Sequence, residues 1–146
     1  MSNQNIAKGR SVFEGFNRRD FDAAVAGCSD DFVYTDHATG HVGRGRGGFR
    51  RVLVDWAAAF PDGTLAFVRF HDAGDTVTVE MRYEGTNTGP YGPLPATGKR
   101  AAMDVCVIWD FNERGEVTTN HAYYDGLGVM QQLGHVGIVG TGPYTG

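Results

Sequence analysis

With 146 residues, 41% of them hydrophobic and 12% aromatic, the chain is long enough for one domain with a real core. A net charge of -4, with both signs scattered, excludes a nucleic-acid-binding surface, which would show a basic stripe. No apolar run approaches membrane-spanning length, and residues 1–20 carry no signal-peptide core, so a cytoplasmic protein with no membrane partner is expected. Cys28 and Cys106 lie far apart, fit no zinc or redox spacing, and read as inert thiols.

Residues 3–17 predict a first helix, with Ile6, Val12, Phe13 and Phe16 on one stripe. Asn17-Arg-Arg ends it. Asp20 then caps a short second helix whose Phe21, Ala24, Val25 and Cys28 face inward. Phe32–Asp36 reads as a short strand. Residues 38–48 form a glycine-rich loop; it is not a dinucleotide-binding loop, because no buried apolar strand precedes it. Arg44, Arg46, Arg50 and Arg51 straddle the next helix start. They read as a solvated basic rim, with capture of a carboxylate or phosphate as the alternative. Phe49–Phe60 predicts the third helix, stopped by Pro61.

From there the period changes from 3.6 to 2. Thr64–His71 and Thr76–Gly85 predict a hairpin turning at Asp72–Asp75, and Arg100–Phe111 alternates again after a proline- and glycine-rich crossover over 86–98. Val117–Tyr124, rich in β-branched and aromatic residues, predicts the last strand. Asp125 is placed to cap a terminal helix carrying Leu127, Met130 and Leu133, and Gly134 stands where a C-terminal cap is wanted. The division expected is a single domain over 1–134 and a glycine-rich tail over 135–146. The fold class is α+β: three helices cover the concave face of a curved antiparallel sheet, forming an open cone, a cystatin-like roll. The face carrying Glu80, Arg82 and Glu84 is too polar for core and is either solvent or a dimer contact.

The segment Y-Y-D-G-L-G-V-M-Q-Q-L-G at 123–134, with A-A-F-P-D at 58–62, G-T-N-T-G-P at 85–90 and L-P-A-T-G-K-R at 94–100, resembles the SnoaL-like polyketide cyclases of the nuclear-transport-factor-2-like superfamily. The resemblance implies the cone fold, a homodimer through the sheet, no cofactor or metal, and a small hydrophobic substrate of the polyketide kind. It also implies ring closure by intramolecular aldol chemistry, with an aspartate on the last strand and a histidine on the preceding one. Alignment on Asp125 puts Ala122 at the aspartate position and Val107 on or near the histidine position, so both groups are missing.

Other side chains must then act. Asn120, Ala122 and Tyr124 share one face of the last strand by alternation, and His121 and Tyr123 the other; a β-bulge would reverse this. The catalytic candidates are His37, His121, Asn120, Tyr124 and Asp125. His37 is favoured because the resemblance implies polar groups on its strand, whose Tyr34 and Asp36 could also reach the cavity mouth, and His121 is a candidate base titrating near neutrality. Tyr34, Phe49, Leu53, Trp56, Phe60, Met103, Val107, Trp109 and Ala122 are candidates to line the substrate pocket. The spacing Asp36-His37-x3-His41 has no third metal ligand to support it. The reading that follows is an enzyme of ring closure or isomerisation in an apolar pocket. Its alternatives are a non-catalytic ligand- or partner-binding module and a cofactor-free hydroxylase. An epoxide hydrolase of this fold would need an Asp-Arg-Asp cluster that the inward faces do not supply.

Overall fold

A computed structural model describes residues 2–137 and 142–143. Most of the predicted tail, 138–141 and 144–146, lies outside the described residues. In chain order the elements are α1 (Ser2–Asn17), α2 (Phe21–Val25), β1 (Cys28–Asp36), β2 (Val42–Arg44), α3 (Gly45–Ala59), β3 (Thr64–Asp72), β4 (Thr76–Thr86), β5 (Arg100–Phe111), β6 (Val117–Tyr124) and α4 (Gly126–Leu133). One curved sheet, ordered β2-β1-β6-β5-β4-β3, carries the helices on its concave side, the α+β cone expected.

Three features depart from the sequence reading. Cys28, expected on the second helix, instead opens β1, which begins four residues before Phe32. The sheet is not wholly antiparallel, because β1 pairs parallel with β6, Tyr34 lying opposite Asn120 and Asp36 opposite Ala122. Such a pairing joins residues some ninety positions apart and leaves no local signal. The glycine-rich loop is also shorter than expected, since it contains β2 and the first turn of α3. Its glycines serve a close backbone crossing: a Cβ on Gly48 would stand 2.9 Å from the Gly43 carbonyl carbon.

Local signals fix the ends of the other elements. The Asp20 carboxylate accepts from the Ala23 amide at 3.1 Å, and that of Asp125 from the Gly128 amide at 2.8 Å. Gly134 closes α4 with φ 85°. Arg19, itself in the left-handed region with φ 62°, donates to the carbonyls of Phe16, Pro61 and Gly63 and ties the end of α1 to the α3–β3 turn. Asn17 holds the edge strand β3 by a reciprocal pair with the Leu65 backbone, each bond 2.9 Å.

The core runs between α1, α3 and the concave face. Trp109 is fully buried, with its ring 5.0 Å from that of Phe13. α1 crosses over it at Gly9, where a Cβ would stand 1.9 Å from the indole. On the convex face Arg82 bridges Glu84 at 2.8 Å and Asp104 at 3.1 Å, and Arg100 reaches Glu84 at 3.0 Å. Exposed pairs of this kind add little stability, so this face is polar by patterning rather than by necessity of the core.

The loop over 87–99 is pinned from below. Asn87 is fully buried, and its amide donates to the carbonyls of Ala59 and Gly89 while its oxygen accepts from the Thr97 amide. This carries Tyr91 over the open end of the cone, where its ring meets Trp56 edge-on at 5.6 Å.

Candidate functional site

β6 presents Asn120, Ala122 and Tyr124 to the concave side, as strict alternation requires. The one irregularity between β5 and β6 falls at Asp110/Phe111, before these residues, so it leaves their facing unchanged. They meet Met103, Val105 and Val107 of β5, Tyr34 of β1, Met81 and Tyr83 of β4, Phe13 and Phe16 of α1, and Phe49, Leu53 and Trp56 of α3. Together these enclose a cavity of about 90 Å³ whose walls are almost wholly apolar. A second hollow of about 160 Å³ adjoins it and shares Tyr34, Val52, Trp56 and Tyr124 with it. Asp36, Thr39, His41, Asp55 and Tyr91 complete that outer chamber. An engineered protein cavity near 150 Å³ accepts benzene, so the two chambers in series have room for more than one ring.

The polar groups gather where the chambers meet. The Tyr124 hydroxyl donates to Asp36 Oδ2 at 2.6 Å. Asp36 Oδ1 accepts from the amides of Ala38 and Thr39 at 2.9 and 3.0 Å. The carboxylate is 4% exposed and is therefore oriented by three donors, with one of its roughly four lone-pair sites left toward the chamber. Burial, then the hydrogen bond to Asp36, hold the Tyr124 hydroxyl far above the usual phenol range. Burial, then the nearby Asp36 charge, do the same for Tyr34. Tyr91 is raised by burial, partly offset by hydrogen bonding with Tyr124. All three phenols thus remain donors, beside the Asp36 carboxylate.

The structure does not bring His37 and His121 to this site. Both lie on the outer side of the sheet, His37 Nε2 2.9 Å from His121 Nδ1, with the Tyr123 ring stacked on His37 at 4.3 Å. Alternation explains it: Tyr34 and Asp36 point in, so the next position points out. Neither histidine lines either chamber, and they are not placed for acid–base work on a ligand there. Asp125 is occupied as the α4 cap. Phe60 and Trp109, expected in the lining, are fully buried behind it. The arginine rim is largely self-matched, since Arg46 pairs with Asp30, Arg50 with Asp22 at 2.8 Å and Arg51 with Asp55 at 3.0 Å. That balance removes the case for anion capture. Among the outer-chamber residues, the sequence reading singles out neither Tyr91, which sits in a loop without periodicity, nor Asp55 of α3, and it weighs His41 only for a metal spacing. Among the described residues, no group of three or more His, Cys, Asp or Glu side chains is placed to hold a metal ion, and no helix is long and apolar enough to cross a membrane.

Burial also sets an alkaline limit. The Cys28 thiol, 1% exposed, is pushed by burial from 9.0 up to about 12, with Arg46 pulling slightly the other way. Folded Cys28 therefore keeps a proton that the unfolded chain releases. Stability is full below pH 9 and falls as the pH rises from 9 toward 12. The buried Tyr34, Tyr83 and Tyr124 act in the same direction from about pH 10 upward. We expect tyrosinate absorbance from these residues to rise only together with loss of the folded circular-dichroism signal. Independent ionisation of all six tyrosines well before unfolding would contradict this.

Known structures share this architecture. TsrD from Streptomyces laurentii superposes with a TM-score of 0.82 at 23% identity, over 93% of this chain and 98% of that one. A candidate SnoaL-like polyketide cyclase from Jannaschia sp. CCS1 gives 0.83 at 19%, over 90% and 92%. AclR from Streptomyces galilaeus, a candidate hydroxylase, gives 0.81 at 18%, over 96% and 91%. These identities establish the fold alone. No curated protein shows significant sequence similarity to the chain. The family model of the SnoaL-like polyketide cyclases matches residues 10–133, from α1 through α4 and so across both chambers, and the chain belongs to that family.

Proposed function

We propose that the protein closes or isomerises a ring in a flat, hydrophobic, oxygenated polyketide-like intermediate, using its own side chains for proton transfer. The observation that carries this reading is the Asp36 carboxylate, held by three donors among phenols that remain protonated, at the throat of an apolar cavity. In the reaction, Asp36 removes a proton from a carbon between two carbonyls. The enolate oxygen accepts a hydrogen bond from Tyr34 or Tyr91. The enolate carbon forms a bond to a second carbonyl carbon, and the resulting alkoxide takes the proton back from Asp36. Atoms are conserved, and any later loss of water follows ring closure. Holding both ends of a folded chain in one cavity supplies a large part of the barrier reduction.

Ala122 and Val107 face the cavity where the family's acid–base pair would stand, and they are paired across β5 and β6. That substitution favours a second reading, a ligand-holding module without turnover. The two readings separate in one assay: the rate of intramolecular aldol closure of an aryl-substituted 1,3,7-triketone, whose C2 lies between two carbonyls, followed by product chromatography. Catalysis predicts an acceleration of about 100-fold or more over buffer, the range of one positioned base. Saturable binding of the triketone with no acceleration would leave only the ligand-holding role. We place a dimer contact on the ion-paired outer face around Arg82; no part of the chemistry depends on it.

A further inference from the structure

Asn120 is a polar residue that the mechanism above does not use. It lies on β6, lines the inner chamber and is absent from the outer one. It is 3% exposed, and its Oδ1 meets no protein donor. Its cross-strand neighbour Trp109 also has an unpaired buried Nε1–H, so the indole does not satisfy the amide. Around it stand phenylalanines, methionines and valines. A carboxamide left unpaired in such walls is costly, and a leucine of similar size would pack there without that cost. Asn120 therefore makes sense where a ligand brings the missing partner. The orphaned atom is the amide oxygen, an acceptor, so the missing partner is a donor, most simply a hydroxyl group on the ligand.

We propose that Asn120 is the specificity residue of the inner chamber, reading one hydroxyl on the leading edge of a flat aromatic ligand. The substrate class is then a polycyclic or fused-ring molecule with a hydroxyl at its buried end and its reacting carbonyls at the Asp36–Tyr124 throat. This rests on the pocket reading above, and the test separates the two.

The probes are 2-naphthol and its apolar isostere 2-methylnaphthalene, titrated by isothermal calorimetry. The wild type should bind the naphthol about tenfold more tightly or better, because the methyl isostere leaves the Asn120 oxygen unpaired. Asn120→Leu should lose that preference and bind the hydrocarbon at least as well as the wild type does. Asn120→Ala carries the same expectation should the leucine variant not fold. A preference for the naphthol that persists in the variant, or is lacking in the wild type, overturns the assignment to Asn120 and leaves the pocket reading standing. Failure of the wild type to bind either probe overturns the pocket reading and this assignment with it.

Discussion

Asp36→Asn should lower kcat for ring closure by about 10²- to 10⁴-fold, the contribution of one positioned general base, while KM changes little. The substitution is chosen for what it retains. The asparagine oxygen still accepts from the amides of Ala38 and Thr39, so the turn after β1 keeps its shape. The Tyr124 hydroxyl, which donates to Oδ2 in the wild type, can instead accept from the new amide. Only the capacity to take a proton is removed. Thermal melts of the two proteins should then differ by a small margin compared with the change in rate. An Asp36→Asn enzyme with wild-type kcat would place the base elsewhere, and among chamber residues His41 and Asp55 are the remaining acid–base groups.

Ala122→Phe should abolish aromatic binding, by about 100-fold or more, with the fold intact. Ala122 is 4% exposed and faces Val107 across the sheet, in the middle of the inner chamber. A benzyl group there occupies space that a ligand ring would need. Overpacking a filled core typically costs about 1–3 kcal/mol, but here the added ring enters a cavity and its burial offsets part of that cost. The variant should therefore melt near the wild-type temperature. The effect should fall on affinity for any ring-containing ligand, whatever oxygens it carries, which distinguishes it from the selective effect expected at Asn120.

How far the site was legible in the sequence depended on whether its residues sit in periodic elements. Arg100–Phe111 and Val117–Tyr124 have the bounds that alternation and turn residues imply, and Asp125 and Gly134 cap α4 because their chemistry is local. The same period-2 pattern placed Asn120, Ala122 and Tyr124 on one face. Carried one element back, it sets Tyr34 and Asp36 inward and His37 outward; favouring His37 for the family's polar strand passed over that alternation. Tyr91 was not legible at all. It reaches the throat only because buried Asn87 folds an aperiodic loop back over α3, a tertiary effect with no repeat to read. The parallel β1–β6 pairing that sets Asp36 beside Tyr124 is likewise non-local.

The cavity is the claim on which the chemistry depends, and a paired titration addresses it. Tryptophan fluorescence of wild type and of Ala122→Phe is followed as 2-acetylnaphthalene is added, with Trp56 in the chamber wall as reporter. The predicted result is saturable quenching in the wild type and its loss in a folded Ala122→Phe. Equal binding by both proteins would contradict a ligand site between β5, β6 and α3.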